Sequence, residues 1–215
     1  QRLSQITEEE RELLQGRGVD RALYASGRAF EVDAAKMLEK GKLMSIRPHT
    51  RFAPFPRHSH NYVEIMYMCR GKTVHRIDGD ALVTLEAGEL LFLNRHASHA
   101  IQRADAGDIA VNFIVLPQFF DEAFNMAGMD NVLSRFLLGE LYTGGAAVSY
   151  LHFRVREVLP VQNLVENMVW TLVNRQPGAR RINQVTMGLL LLQLMHYTEC
   201  IDMSRNGSIR SPMVE

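Results

Sequence analysis

The chain has 215 residues, 47% of them hydrophobic, and 24 basic side chains balance 24 acidic ones to a formal charge of zero. That length and apolar content support one substantial core, or one core with a helical appendage. The even charge argues against a nucleic-acid-binding surface on this segment. Cys69 and Cys200 match no C-x-x-C pattern, which argues against a disulfide framework and places the chain in a reducing, cytoplasmic setting.

Residues 7–40 read as helical. Thr7-Glu8-Glu9-Glu10 fits a capping box, Gly16-Arg17-Gly18 ends that helix, and Asp20 or Asp33 would cap further short helices. From Lys42 to Leu116 the signals turn to strands, over 43–52, 63–69, 73–77, 81–85, 90–93, 98–102 and 109–116. Arg70-Gly71, Asp78-Gly79, Glu86-Ala87-Gly88-Glu89 and Asp105-Ala106-Gly107-Asp108 separate them, and Asp78-Gly79 is the sequence of a two-residue hairpin loop. Short strands at such spacing predict an antiparallel sandwich or barrel.

After Pro117 the helical pattern returns over 119–126 and 132–141, with a further strand over 147–153. Val161, Leu164, Val165, Met168, Val169, Leu172 and Val173 form an amphipathic stripe that Gln176-Pro177-Gly178 ends, and Arg181–Met203 reads as a second helix. Two antiparallel helices after a barrel cover its core or join another subunit. The run Leu189–Leu192 points all round its helix, which favours dimerisation. No apolar run approaches a bilayer span, since Met187–Met195 is interrupted by Gly188 and Gln193, and the polar N-terminus carries no secretory signal. Starting at Gln1 and ending in a linker-like Ser211-Pro212-Met213-Val214-Glu215, the sequence reads as part of something longer.

The chemistry concentrates in Arg57-His58-Ser59-His60-Asn61-Tyr62-Val63-Glu64, an H-x-H-x3-E pattern followed by Gly71, with Gly88 to His99 as a second glycine-to-histidine segment. Three imidazoles and a carboxylate are ligands that divalent transition metals prefer. His58, His60 and Glu64 share one strand parity, but His60 to Glu64 spans about 13 Å of straight strand, so a bend or bulge must bring them together. Tyr62 and Met66 share that parity and would line the same cavity. His96 is a spare donor beside His99. No Ser-His-Asp arrangement, P-loop or dinucleotide fingerprint is present.

On His58, His60, Glu64, Gly71, Gly88 and His99 the strand block resembles a cupin. With the wording His-x-His-Asn-Tyr-x-Glu-Ile-x-Tyr, the Asp78-Gly79 hairpin, the Leu85-x-x-Gly88-Glu89-Leu90-Leu91 turn and the terminal helix pair, the chain is similar over roughly residues 40–205 to the sensory and dimerisation half of AraC-type transcription regulators. Asn94, His96 and Arg103 stand where a cupin's second motif has Pro, Gly and Asn, which tells more against a cupin enzyme than against a regulator.

The resemblance implies a cupin-like, jelly-roll-type antiparallel β-barrel followed by a C-terminal helix pair. Its parts would be a helical extension (1–41), the barrel (42–116), a helical region with the dimerising pair (117–205) and a linker (206–215) towards a helix-turn-helix DNA-binding part outside this chain. It further implies a homodimer, no membrane partner and no catalysis. A small polar effector, a sugar by analogy, would contact His58, His60, Tyr62, Glu64, Met66 and His99. For His58, His60, Glu64 and His99 three readings stand side by side: a divalent metal site, direct effector contact, or a mutually hydrogen-bonded network. The rival to the regulator is a metal-dependent cupin enzyme, an isomerase or dioxygenase.

Overall fold

The structure, a computed structural model, describes residues 3–27, 29–121, 131–139, 141–143 and 146–203. In chain order its strands are β1 (Glu31–Val32), β2 (Met44–Pro48), β3 (Phe55–His60), β4 (Val63–Arg70), β5 (Lys72–Ile77), β6 (Ala81–Glu86) and β7 (Leu90–Leu93). There follow β8 (His99–Ile101), β9 (Ile109–Val115), β10 (Tyr142–Thr143), β11 (Ala146–Ala147), β12 (Tyr150–Phe153) and β13 (Ile201–Met203). The helices are α1 (Glu8–Leu14), α2 (Ala34–Met37), α3 (Val132–Leu138), α4 (Leu159–Val173) and α5 (Ala179–Met195).

Two sheets make a jelly-roll-like sandwich with helices C-terminal, and they face each other without closing into a barrel. One sheet has the order β1-β3-β8-β5-β6 and the other β13-β12-β7-β4-β9-β2, while β10 and β11 form a separate hairpin. Among the described residues all pairings are antiparallel except β1 on β3, where Val32 lies beside His60.

The side-chain period of two divides the core into layers. On β4, Val63, Ile65 and Tyr67 face outward to a large core shared with Val161, Val165 and Met168 of α4 and Met187, Leu190, Leu191 and Leu194 of α5. Met66 and Met68 face inward, packed with Ile77, Val83, Leu85, Leu91 and Leu93 between the sheets. A third cluster closes one end of the sandwich with Tyr24, Val32 and Ala34 of the N-terminal segment on Phe55, Tyr62 and Ile101. β5 shows the alternation plainly, with Thr73, His75 and Ile77 buried and Lys72 and Arg76 exposed.

Several boundaries differ from the sequence reading. The capping box is present, Glu10 N–H donating to Thr7 Oγ1 and Thr7 N–H to Glu10 Oε2, but α1 is one of two short helices in a segment that also holds β1. Phe55–His60 is a strand although it contains no β-branched residue, because β8 supplies its partner. The predicted helix over 181–203 ends at Met195, and Ile201–Met203 pairs instead with Leu151–Phe153. The predicted helix over 119–126 begins as a 3-10 turn at Pro117–Phe120, and its remainder from residue 122 lies outside the described residues, as do 206–215.

The hairpin at Asp78-Gly79 has three loop residues rather than two, since Ile77 pairs with Ala81. Both Asp78 (φ 50) and Gly79 (φ 91) are left-handed, and Asp78 is tied to the chain ahead of β8, its N–H donating to Ser98 O and its Oδ1 accepting from Ser98 N–H. Gly88 (φ 84) is required on two counts, because a Cβ there would lie 2.8 Å from Arg156 Cβ.

Candidate functional site

The bend that the His60–Glu64 spacing demands is a change of sheet. β3 ends at His60 in the five-stranded sheet, Asn61 and Tyr62 turn the corner, and β4 carries Glu64 into the six-stranded one. His58 and His60 therefore face Glu64 across the sandwich instead of sharing a strand face with it. His99 joins from β8, directly opposite His58 in the ladder. The nitrogens offered by His58, His60 and His99 lie within 4.8 Å of one another. Glu64 Oε2 is 3.5 Å from His99 Nε2 and 3.7 Å from His60 Nε2.

Those distances are too long for hydrogen bonds. Both ring nitrogens of His60 and of His99, and Glu64 Oε2, are buried without a hydrogen-bond partner. Four groups satisfying one another would leave no such orphans, so the arrangement argues against a self-contained network. His58 is oriented by its Nδ1 against Pro56 O at 2.9 Å, which turns Nε2 away from the strand backbone. Glu64 Oε1 accepts from Asn112 Nδ2 at 3.0 Å.

Burial sets the charge states. It holds His58 down to about 4 and His60 to about 3, and pushes His99 well below its usual range, so all three imidazoles are neutral at pH 7. Neutral imidazole is the form that binds metals. Burial also pushes Glu64 up to about 7, against the smaller opposing effect of the Asn112 hydrogen bond. A divalent ion fits this donor set: the unpartnered nitrogens converge, are neutral, and have a carboxylate beside them. His96, the spare donor, is exposed and stands apart.

His58, Tyr62 and Glu64 line a cavity of about 40 Å³, with Tyr24, Val32, Met37, Arg47, His49, Phe55 and Asn112 among the other residues of its wall. His60 and His99 lie fully buried, and Tyr62 stacks on His60 at 5.1 Å between ring centres. Met66 packs in the core between the sheets. The volume holds about one water by the usual share of liquid, well short of an ordinary small-molecule pocket.

Sequence reasoning missed three polar residues inside. His75 stacks 5.9 Å from His99, His49 lies 6.1 Å beyond His75, and Asn112 holds Glu64. His75 Nδ1, His49 Nε2 and Asn112 Oδ1 are also unpartnered. A signal existed for two of them: His75 shares the inward parity of Thr73 and Ile77, and Asn112 is the lone polar residue in Ile109–Val115. His49 follows β2 and carries no periodicity.

Residues 45–124 match the family model of the AraC-like ligand binding domain. No curated protein sequence matches the chain. Among solved structures it is similar to an apo variant of ToxT from Vibrio cholerae, with TM-score 0.55 and 11% identity over 79% of this chain and 62% of that one. ToxT from the same species with an unsaturated fatty acid bound gives TM-score 0.43 at 11% identity, over 68% of this chain and 51% of that one. A cupin protein from Bacteroides fragilis gives 0.29 at 28% identity over 34% and 64%. The ToxT likeness is one of fold, and this chain spans about three fifths of that protein's length.

Proposed function

We propose, from the match of residues 45–124 to the family model of the AraC-like ligand binding domain, that the chain is the effector-sensing and dimerisation module of a transcription regulator of that type, its DNA reading done by a separate part. The observation that supports this reading is the convergence of unpartnered, neutral imidazoles and one carboxylate in a closed interior. His58, His60, His99 and Glu64 would hold a divalent transition metal. When bound, such an ion supplies positive charge and open positions for an effector's oxygen atoms.

The cavity as it stands takes an ion and water, so a sugar or other small polar effector enters only when its wall yields. The yielding part is the N-terminal segment. Tyr24, Val32 and Met37 line the cavity, yet the segment adds to the sheet only through two-residue β1. Asn61 pins it, accepting from Ala34 N–H at 2.9 Å and donating to Asp33 Oδ1 at 3.1 Å. Occupancy inside would thereby alter the position of residues 20–38, a change that a dimer can transmit. Dimerisation has support of its own in α5, where Ile182, Val185 and Leu189 form an exposed stripe on successive turns.

The test is metal analysis and thermal shift of the chain with zinc, nickel and manganese, then with sugars and small acids added. Retention of one divalent ion per chain and a raised melting temperature are expected. Glu64→Ala abolishes the effector's shift while the fold, read by circular dichroism, stays. No ion retained and no shift with any effector would refute the reading. Catalytic turnover of a small acid or sugar by the metal-loaded chain would replace it with the cupin-enzyme alternative.

A further inference from the structure

A second cavity lies on the far side of β2, away from the histidines. It follows the outer edge of the six-stranded sheet and is closed by the loop from Met37 to Leu43, by Phe119, and by the junction of α4 and α5, enclosing about 630 Å³. That volume is ordinary for a site that holds a small molecule. Its floor is apolar, built from Leu43, Met44, Ile46, Phe119 and Leu172.

Asn183 breaks the apolar lining. It is 1% exposed, and neither its Nδ2 nor its Oδ1 has a hydrogen-bond partner. A buried amide in that condition is unfavourable unless something else completes its bonds. The charge at the mouth indicates what that is. Lys42, Arg47, Arg175 and Arg180 line the groove; Lys42 contacts Glu39 at 2.6 Å and Arg47 contacts Glu9 at 3.8 Å, so the positive excess rests on Arg175 and Arg180. Arg180 and Asn183 are three residues apart on α5, so a guanidinium and an amide lie on one face of that helix.

We propose that this groove is a ligand site for an amphipathic monocarboxylate, an alkyl or aryl acid. Its carboxylate takes a hydrogen bond from Asn183 Nδ2 and charge from Arg180, and its hydrocarbon body lies on Leu43, Met44, Phe119 and Leu172. Asn183 Oδ1 is completed by a water that the carboxylate holds in place. The groove shares Met37, Arg47 and Pro48 with the cavity beside the histidines but none of the histidines themselves, and the proposal does not depend on the metal reading.

The experiment is titration of the chain with decanoate below its micelle concentration, followed by the methyl resonances of ¹³C-labelled methionine. Met44 lines this groove, while Met66 sits between the sheets. Saturable movement of the Met44 methyl with Met66 unmoved is expected. Decanol, which lacks the charge, binds at least about ten-fold more weakly, and so does decanoate to Arg180→Glu or to Asn183→Leu. Arg180 is exposed, so that variant folds whatever becomes of Asn183→Leu. Absence of a saturable Met44 shift, equal binding of decanol, unchanged affinity in Arg180→Glu, or movement of Met66 ahead of Met44 would each overturn the proposal.

Discussion

Glu64 carries opposite consequences with and without an ion. Its carboxylate is buried, with one oxygen held by Asn112 and the other unpartnered beside two neutral imidazoles. Glu64→Gln keeps the shape and removes the charge. In the metal-free protein at pH 8 it is expected to raise stability to denaturant by about 1–3 kcal/mol, because a buried charge without compensation disappears. Where the proposed metal binds, its affinity is expected to fall by at least about ten-fold in the same variant. A variant that lowered stability in both states would remove the ion from the account.

Glu10 gives the pH dependence. Burial raises its affinity for protons, but hydrogen bonds from Arg51 and Thr7 and the Arg51 charge outweigh it and hold the carboxyl below its ordinary 4.5. Arg51 grips it through Nε at 2.6 Å and Nη2 at 2.8 Å, both side chains almost fully buried. A depressed carboxyl contributes stability that is present above its unfolded value and lost as pH falls through the folded one. Glu10→Gln leaves Arg51 buried without its charge partner and costs about 3–5 kcal/mol at pH 7. Urea unfolding across pH should show that difference narrowing below about pH 4.5. The capping box made Glu10 legible as a helix-start residue, but its grip on a partner forty-one positions away was not.

At the scale of elements, α5 separates two roles that a run of leucines conceals. Leu190, Leu191 and Leu194 are buried on the sheet, whereas Leu189 is 44% exposed in line with Ile182 and Val185. Leu189→Glu is expected to change folding stability by about 0.5 kcal/mol or less and, by light scattering, to leave the chain monomeric where the proposed dimer forms. Leu190→Glu should instead unfold the chain or cost more than about 3 kcal/mol, since it buries a charge in the core. Dimerisation unaffected by Leu189→Glu would move the interface to another face. The burial of Leu190 and Leu194 also shows why consecutive leucines alone do not mark an interface: a helix between a sheet and solvent hides most of them.

Strands rich in Val, Ile, Leu and Phe were legible because β-branched and aromatic residues fit a pleated, half-buried surface. Phe55–His60 was not, because after Phe55 its residues carry no such preference and it is pairing with β8 and β1 that makes it a strand. Asn61 tests how that edge is held. Asn61→Ala removes the acceptor for Ala34 N–H and is expected to cost about 1 kcal/mol. Amide exchange should quicken across residues 30–37 and stay unchanged in α4 and α5. Equal protection in the variant would show that the apolar contacts of Tyr24 and Val32 suffice to hold the segment.

For the whole molecule, the donor types and the strand parities were legible in the sequence but not the crossing between sheets. Parity placed His58, His60 and Glu64 on one strand face, whereas the corner at Asn61-Tyr62 puts the imidazoles on one sheet and the carboxylate on the other. A two-residue corner between the polar residues 57–60 and the largely apolar residues 63–68 leaves no turn signal of its own. The same holds for the cavity's size, which depends on how closely Tyr24, Phe55 and Met37 approach.

That crossing makes any occupant of the histidine site a rivet. His58, His60 and His99 are fixed to one plate of the sandwich and Glu64, through Asn112, to the other. An ion gripped by both sets would remove sliding freedom between the plates, and the stiffening would be felt by the α4–α5 pair, which rests on the plate that carries Glu64. Slower amide exchange in β8 and β9 together on metal addition, absent in Glu64→Gln, would register it. In mechanical terms, an occupied interior would register as rigidity, felt by the helices that rest on the plate the rivet pins.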